Sequence, residues 1–421
     1  MPALDPGEAV TKDDARISHP SAPVRRRKLF ELAGGSALAA LAGGCTLPER
    51  GPPVPPEQTA QATVLGLPNE RFLLPGGATA LEQEAAQAIQ RLRATQNLTD
   101  GELLAKMQLL AISGGGENGA FGAGLLCGWT EHGTRPVFEL VTGVSTGALT
   151  APFALLGSAY DAKLRAVYTE LTSSDILIRR RLTAALFSDA LSDNAPLFQT
   201  ISRLLDERML ADIAQAYDDG RLLLIATTNL DSQHPVIWNI GAIAKSGHPK
   251  ALDVIRRVLL ASAAIPGAFP PTMFDVTADG QTYQEMHVDG GAFAQAFLYP
   301  EAVTRLRRER KRDGEPITPA TAYIIRNGRL DPEWARVERR AVGIAGRAIS
   351  TMIAASGHND IIRIFNNTRR DGINFRLAYI SRDFAADLPE PFDTGFMRAL
   401  FEYAYQRGRA GYDWAAQPPI V

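Results

Sequence analysis

The sequence has little of several features that would narrow its function at once. Its 44 Lys and Arg stand against 46 Asp and Glu, a formal net charge of −2, which gives no sign of a nucleic-acid-binding surface. It has two cysteines, Cys45 and Cys127, and no group of Cys, His and carboxylates spaced as metal ligands. No internal repeat is present. What remains is ordinary globular composition, 45% hydrophobic and 21% charged over 421 residues.

An apolar run near the N-terminus is too short to cross a membrane. Residues 29–44, mostly Ala, Leu and Gly, follow the basic residues 25–28 and precede Cys45. A charged segment, an apolar segment and small residues are the three regions of an export signal. Cys45 also resembles the acylated cysteine of a bacterial lipoprotein, and the basic residues resemble a twin-arginine signal. A basic arm with a chance cysteine is the alternative.

We therefore expect three parts. Residues 1–44 are an export signal, residues 45–105 are a lipid-anchored tether and N-terminal extension, and residues 106–421 are the functional domain. The expected location is the bacterial cell envelope, with the chain anchored to a membrane on the periplasmic side. With Cys45 acylated, Cys127 has no partner for an internal disulfide, and we expect it to pack as a small apolar residue.

Ser145 lies in a G-V-S-T-G sequence that directly follows an apolar run. This is the G-x-S-x-G pattern of a nucleophile elbow, in which a strand ends, the chain turns sharply and a helix begins. Gly143 and Gly147 remove the Cβ atoms that would clash in such a turn. The N-terminal end of the following helix would direct its positive dipole at the serine hydroxyl. By itself the pattern also suits a plain Gly-Ser turn.

A second glycine-rich loop, G-G-G-E-N-G at residues 114–119, follows the apolar run at residues 107–112 and precedes a helical stretch. Bare backbone N–H groups at a helix N-terminus bind an anion, which is either a phosphate or an oxyanion formed in acyl transfer. The loop also fits the dinucleotide fingerprint. That fingerprint needs an acid at the far end of the next strand, but Glu139 precedes that strand, and Ser145 occupies its far end.

A serine hydroxyl needs a group that accepts its proton. None of the six histidines stands in a recognisable catalytic setting. Asp289 fits better, because it ends a short apolar strand and precedes two glycines. Site residues of α/β folds collect at the carboxyl ends of strands. An Asp-Gly turn at the surface is the alternative.

Together these motifs resemble the patatin-like phospholipase family. Four ordered segments carry the resemblance: the glycine loop at 114–119, the elbow at 143–147, the A-S-A-A-I-P block at 261–266 with F-P-P at 269–271, and the D-G-G motif at 289–291. They span residues 107–300, the motif core of a domain that we place at 106–421. Two departures are present: Asn118 stands where the family loop usually has Lys or Arg, and Gln295 stands where Asn often begins an N-x-P after D-G-G.

The resemblance implies a Ser-Asp dyad that cleaves carboxylic esters of lipids, phospholipid or lysophospholipid, without metal or other cofactor. Ser145 would be the nucleophile and Asp289 the base. The oxyanion would be held by backbone N–H groups of Gly114, Gly115 and Gly116. The loop and the elbow would be supported by four further glycines, Gly119, Gly143, Gly147 and Gly290. An ordinary Asp has a pKa near 4, so the preformed donors would carry much of the barrier reduction. The expected partners are the lipid substrate and a membrane surface, not nucleic acid.

The expected fold is α/β, with a mainly parallel central sheet flanked by helices on both faces. Strand signals recur near Leu109, Leu140 and Val288 and at residues 222–227 and 322–325, with helical patterns between them. Residues 175–215, with Ile176, Leu182 and Phe187, could form a lid, an acyl-chain wall or a plain core helix. The basic run at residues 305–311 is interpreted as a solvated helix face.

Two rival functions remain open at this level. An α/β-hydrolase esterase would use Ser145, Asp289 and His358 as a triad. However, the glycine loop and the elbow begin 29 positions apart, which leaves room for one helix and one strand between them. The other rival is a catalytically silent protein that binds a lipid or a nucleotide.

Overall fold

The computed structural model describes residues 49–97, 99, 107–179, 189–299, 308, 312–314 and 320–419. The helices of this part are α1 Ala78–Gln96, α2 Gly119–His132, α3 Thr146–Leu156, α4 Asp161–Thr169, α5 Ala195–Leu204, α6 Glu207–Asp218, α7 Ile240–Lys245, α8 Ala251–Ser262, α9 Ala341–Asp371 and α10 Thr394–Arg409. Its strands are β1 Arg71–Leu73, β2 Gln108–Ile112, β3 Leu140–Val144, β4 Ile178–Arg179, β5 Ser192–Asp193, β6 Leu222–Asn229, β7 His234–Asn239, β8 Thr272–Ala278, β9 Gln281–Asp289, β10 Thr321–Arg326 and β11 Asn374–Tyr379. No helix of the described residues is long and apolar enough to span a bilayer.

Nine of these strands form one mixed sheet in the order β1-β7-β6-β3-β2-β10-β11, with β9 on β6 and β8 on β9. The five central strands, from β6 to β11, are parallel to their neighbours, whereas β7, β1, β8 and β9 run antiparallel. The predicted α/β fold with a mainly parallel sheet is confirmed, and each of the five predicted strands lies in this sheet.

Both faces of the sheet are covered. Along β2, Leu110 and Ile112 pack into one apolar core with residues of α2, α3 and α10, while Leu109 and Ala111 pack into a second core with residues of α9. This alternation follows from the two-residue period of a strand. Buried on both faces, the central parallel strands are continuous apolar runs, as the sequence of β2 already indicates.

Strand β6 changes its neighbour halfway along its length. On one edge it pairs with β3 as far as Val144 opposite Ala226. From Thr227 onward its partner is β9, with Asp289 opposite Thr227. Because β9 is antiparallel and β3 is parallel to β6, the carboxyl ends of β3 and β9 meet at this point. Ser145 and Asp289, which end these two strands, are therefore brought together from 144 positions apart.

Residues 49–97 belong to the same compact unit as the rest of the described chain, Pro48–Val421. They contribute the edge strand β1, and Thr63 bridges to Thr277 on β8. Arg71 on β1 makes a buried bidentate ion pair with Glu285 on β9. The N-terminal extension therefore clamps the hairpin that carries Asp289. The predicted export signal and Cys45 lie outside the described residues.

Replacing Arg71 should destabilise the fold strongly, because the carboxylate of Glu285 would remain buried without its cation. We expect Arg71→Met to lower the free energy of unfolding by about 3–5 kcal/mol, measured by urea denaturation. The matched control is Lys163→Met, which removes the exposed ion pair with Asp206 and should cost under about 1 kcal/mol. Equal losses for the two variants would contradict a clamping role for Arg71.

Candidate active site

Ser145 occupies a strained turn between β3 and α3. Its φ of 55° and ψ of −126° are uncommon for a residue with a side chain, and such strain is typical of functional sites. A Cβ on Gly143 would lie 2.6 Å from the carbonyl oxygen of Gly147, and one on Gly147 would lie 2.2 Å from that of Ile112. Both glycines are therefore required by close backbone approach, which gives the predicted elbow its physical basis.

Asp289 lies beside Ser145 at the carboxyl end of β9, and its side chain is buried. Its Oδ1 accepts a hydrogen bond of 2.7 Å from the N–H of Gly291, its Oδ2 is buried without a hydrogen-bond partner, and the Ser145 side chain is close enough to lower the pKa of the carboxyl. Gly290 follows against the backbone of β6, where a Cβ would lie 2.5 Å from the Ala226 carbonyl oxygen. The structure thus brings the side chains of Ser145 and Asp289 close together at the ends of β3 and β9.

Burial changes the acid–base character of Asp289. Desolvation raises the pKa of its carboxyl to about 7, although the hydrogen bonds from Ser145 and from the Gly291 N–H lower it. The pKa near 4 that is expected of an ordinary aspartate therefore does not apply to the Asp289 carboxyl. A carboxylate with a pKa near neutrality is a stronger base toward an alcohol, because its charged form is poorly stabilised and gains more from a proton.

The block at residues 261–266 holds both members of the pair. The Ser262 hydroxyl accepts from the Ser145 N–H at 3.0 Å and donates to the Ala226 carbonyl at 2.7 Å. The Asp289 N–H donates to the Ala264 carbonyl at 2.9 Å. This block therefore joins the elbow, β6 and the end of β9. The A-S-A-A-I-P pattern is part of the family resemblance, but by itself it indicates no role for these residues.

The glycine loop lies against the elbow. A Cβ on Gly114 would lie 3.2 Å from the Ser145 Cβ, and one on Gly119 would lie 2.0 Å from the Thr146 Oγ1. The N–H of Gly114 donates to the Gln295 carbonyl at 3.0 Å, so it is already paired. Among the described residues, no acceptor pairs with the N–H groups of Gly115 and Gly116, which leaves these two donors for a developing oxyanion.

Gln295 explains how the loop after Asp289 is anchored without the N-x-P sequence. Its carbonyl accepts from Gly114, and its side-chain amide donates to the Gly291 carbonyl at 3.0 Å. Its own N–H donates to the Asp360 carboxylate on α9 at 2.6 Å. One residue thus connects the glycine loop, the D-G-G turn and a helix, a contact set that no local sequence signal indicated.

An apolar cavity of about 870 Å³, a volume that includes space open to solvent, extends from Ser145 and Gly116. Glu117 is its one charged lining residue among those described. The apolar lining comes from α3, α4, α5 and the segments around residues 171–176, 259–269 and 392–397, and includes Leu149, Phe153, Val167, Leu171, Ile176, Leu197, Ile201, Leu204, Leu205, Met209, Leu259, Ile265, Phe269, Phe392 and Met397. Ile176 and α5 thus line the cavity, whereas Leu182 and Phe187 lie outside the described residues.

The histidines take other positions. His358, the third member of the rival triad, lies on α9, and among the described contacts it has none with Asp289 or Ser145. His287 is buried two residues before Asp289, where its Nε2 lies 2.9 Å from Glu285 and its Nδ1 lies 2.8 Å from the Thr227 hydroxyl. It therefore belongs to the ion-pair network with Arg71. The geometry of the described residues favours the dyad over the triad.

Glu139, the acid that a nucleotide site would need, lies far from the glycine loop. The Glu139 carboxylate accepts from the Gln108 N–H at the start of β2, at the opposite end of the sheet from the glycine loop. It cannot reach a ribose at that loop.

Cys127 is buried on α2 with a free thiol, as expected. The part of the chain that the structure describes holds no group of three metal-ligating side chains.

The family model described as patatin-like phospholipase matches residues 110–300. Among solved structures, VipD from Legionella pneumophila aligns at 12% identity and a TM-score of 0.33, over 73% of this chain and 66% of that chain. Human GIVD cytosolic phospholipase A2 aligns at 12% identity and a TM-score of 0.26, over 68% of this chain and 52% of that chain. A comparison with curated proteins gave no significant match.

The chain spans just under two thirds of the length of VipD and about half of the human enzyme. The TM-scores of both alignments are too low to support a conclusion about activity. The family match rests instead on the segment that contains the glycine loop, the elbow, the A-S-A-A-I-P block and the D-G-G turn. These are the segments that the fold assembles around Ser145. Residues 110–300 of this chain therefore form a patatin-like phospholipase domain.

Proposed function

We propose that this protein is a serine acyl hydrolase that cleaves carboxylic esters of lipids through an acyl-enzyme. The observation that carries the proposal is the contact between the Ser145 hydroxyl and the buried Asp289 carboxyl, next to two unpaired N–H groups and an apolar cavity. A nucleophile, a base, an oxyanion site and a binding site for an apolar chain are the parts that ester hydrolysis requires.

In the proposed reaction, the Ser145 Oγ attacks the ester carbonyl carbon while its proton passes to the Asp289 carboxylate. The tetrahedral oxyanion accepts hydrogen bonds from the N–H groups of Gly115 and Gly116. Collapse of this intermediate breaks the bond to the alcohol, which leaves with the proton held by Asp289. Water then attacks the acyl-enzyme by the same steps, with Asp289 as base, and releases the acid and the free serine.

The cavity indicates the substrate class. Its apolar walls suit a fatty acyl chain, which would gain roughly 0.8 kcal/mol for each methylene removed from water. The cavity begins at Ser145, so an acyl chain within it would place its carbonyl carbon at the hydroxyl. We therefore propose phospholipid or lysophospholipid as the substrate.

We also propose that the chain is exported in a bacterium and anchored to a membrane through an acylated Cys45, on the periplasmic side of the cell envelope. The support is the sequence of residues 25–45, with its basic, apolar and small-residue regions. Anchoring of this kind would hold the cavity near its lipid substrate.

A fluorophosphonate probe tests the nucleophile, because it phosphonylates an activated serine. We expect the wild-type chain to be labelled, and Ser145→Ala to abolish labelling and ester turnover. Asp289→Asn should lower turnover by at least about 10²-fold, since the base is lost. Labelling and turnover are read from purified protein by gel fluorescence and a soluble nitrophenyl ester.

The matched control is His358→Ala, which should retain turnover within about threefold because the dyad does not use this histidine. Collapse of turnover in this variant would instead favour the triad. An unlabelled, inactive wild type would leave a silent binder as the better description.

The raised pKa of Asp289 predicts the pH dependence. Since the carboxyl must be ionised to accept a proton, kcat/KM should fall as the pH decreases below about 7 and level off above it. In Ser145→Ala the hydrogen bond that lowers the pKa is missing, so the carboxyl should titrate at a higher pH than in the wild type. NMR titration of the Asp289 carboxyl measures this directly, and titration near pH 4 in the wild type would contradict the burial argument.

Cys45 predicts the location of the chain. If it is acylated, Cys45→Ser should move the protein from the membrane fraction to the soluble fraction of the expressing bacterium, because the acyl chains provide the anchor. The matched control is Cys127→Ala, a change at the buried thiol, which should leave the protein in the membrane fraction. An unchanged distribution of Cys45→Ser, or no incorporation of labelled palmitate, would exclude the anchor.

A further inference from the structure

The glycine loop contains no cation of its own. Residues 114–119 hold Glu117 and Asn118 and no Lys or Arg, although the proposed oxyanion would form beside them. A positively charged side chain from another element, β10, contacts the loop instead. Arg326, the last residue of β10, is only 5% exposed and donates through Nη1 to the Gly114 carbonyl at 3.1 Å and to the Ser113 Oγ at 3.2 Å.

From this geometry we propose that Arg326 is a positioning residue of the oxyanion site, which fixes and polarises the peptide bond between Gly114 and Gly115. The inference rests on the proposed function. The carbonyl and the N–H of one trans peptide point in opposite directions. The guanidinium therefore binds one side of this peptide, and the N–H of Gly115 is directed to the other.

The Gly114 carbonyl also accepts from the Ser113 hydroxyl at 2.8 Å, so two donors withdraw electron density from the same peptide. Hydrogen bonds in series strengthen one another in a low-dielectric interior, which makes the Gly115 N–H a stronger donor. Because the arrangement exists before substrate binds, it costs no reorganisation during the reaction.

Arg326 keeps its charge in this position. Burial lowers the pKa of its guanidinium to about 10 while the Asp360 carboxylate raises it, so the group is protonated at neutral pH. No carboxylate of the described residues lies within ion-pair distance of it, and its Nε is buried without an acceptor. The positive charge is therefore poorly neutralised, and its field extends toward the loop.

The surrounding residues fit the side chain closely. A Cβ on Gly357 of α9 would lie 2.6 Å from the Arg326 Nη2, and one on Gly328 would lie 3.2 Å from the same atom. The neighbouring Asn327 donates through Nδ2 to the Ser113 carbonyl at 2.9 Å, and its Oδ1 accepts from the Gly122 N–H at 3.0 Å. The end of β10 thus holds the loop through two consecutive residues, of which only Arg326 carries charge.

The test compares Arg326→Met and Arg326→Lys with the wild type on a soluble nitrophenyl ester and on a trifluoromethyl ketone, which forms a tetrahedral oxyanion adduct with serine. We expect Arg326→Met to lower kcat by roughly 10- to 100-fold, less than the loss of a direct oxyanion donor, with KM changed by less than about threefold. The ketone should bind more weakly by the same factor as kcat/KM falls. Arg326→Lys, which keeps the charge, should recover part of the loss.

Arg221→Met is the control for losing a partly buried arginine that binds backbone carbonyls. Arg221 donates to the carbonyl oxygen of Phe138 before β3, at the end of the sheet away from Ser145, so its loss should lower the melting temperature and leave kcat within about threefold of wild type. If Arg326→Met does not fold, Arg326→Gln, which keeps a donor without charge, replaces it. A folded, uncharged variant with wild-type kcat, or a Lys variant as impaired as the uncharged one, would overturn the inference alone. A wild type that neither turns over the ester nor reacts with the fluorophosphonate would overturn the proposed function and this inference together.

Discussion

The change of partner along β6 is the constraint on which the site depends. Up to Ala226 the strand is paired with β3, and from Thr227 it is paired with β9. Because β3 runs parallel to β6 and β9 runs antiparallel to it, their carboxyl ends meet on this edge, at the point where Ser145 and Asp289 lie. Ser262 strengthens the junction, because its hydroxyl connects the Ser145 N–H with the Ala226 carbonyl.

The same junction explains why the pKa of Asp289 is raised. Because β6 and its partners are covered on both faces by apolar cores, the Asp289 carboxyl is removed from water, and its pKa rises to about 7. A carboxylate in this state can act on a serine without a histidine between them. The buried Arg326 contributes the opposite charge on the other side of the glycine loop, so the proposed oxyanion would lie between a base that has gained a proton and a fixed cation.

The N-terminal extension has a larger structural role than a tether. Its Arg71 holds Glu285 on β9, four residues before Asp289, and its Thr63 bridges to β8. The hairpin that carries the proposed base is thereby fastened from outside the region that matches the family, residues 110–300. Helix α9, which also lies outside that region, holds the loop after Asp289, because Asp360 accepts a hydrogen bond from the Gln295 N–H.

The sequence by itself determined the local parts: the elbow at Ser145, the glycine loop, the D-G-G turn and the strands near Leu109, Leu140 and Val288. Each is fixed by neighbouring residues, because sharp turns need glycine and buried parallel strands need apolar runs. Only the tertiary structure decided that the Asp289 carboxyl is buried beside Ser145, that the Gly114 N–H is already paired and that Arg326 lies behind the loop. These facts depend on strand pairing and burial between distant segments, and no local pattern encodes which distant carboxyl loses its water or which carbonyl accepts a remote N–H.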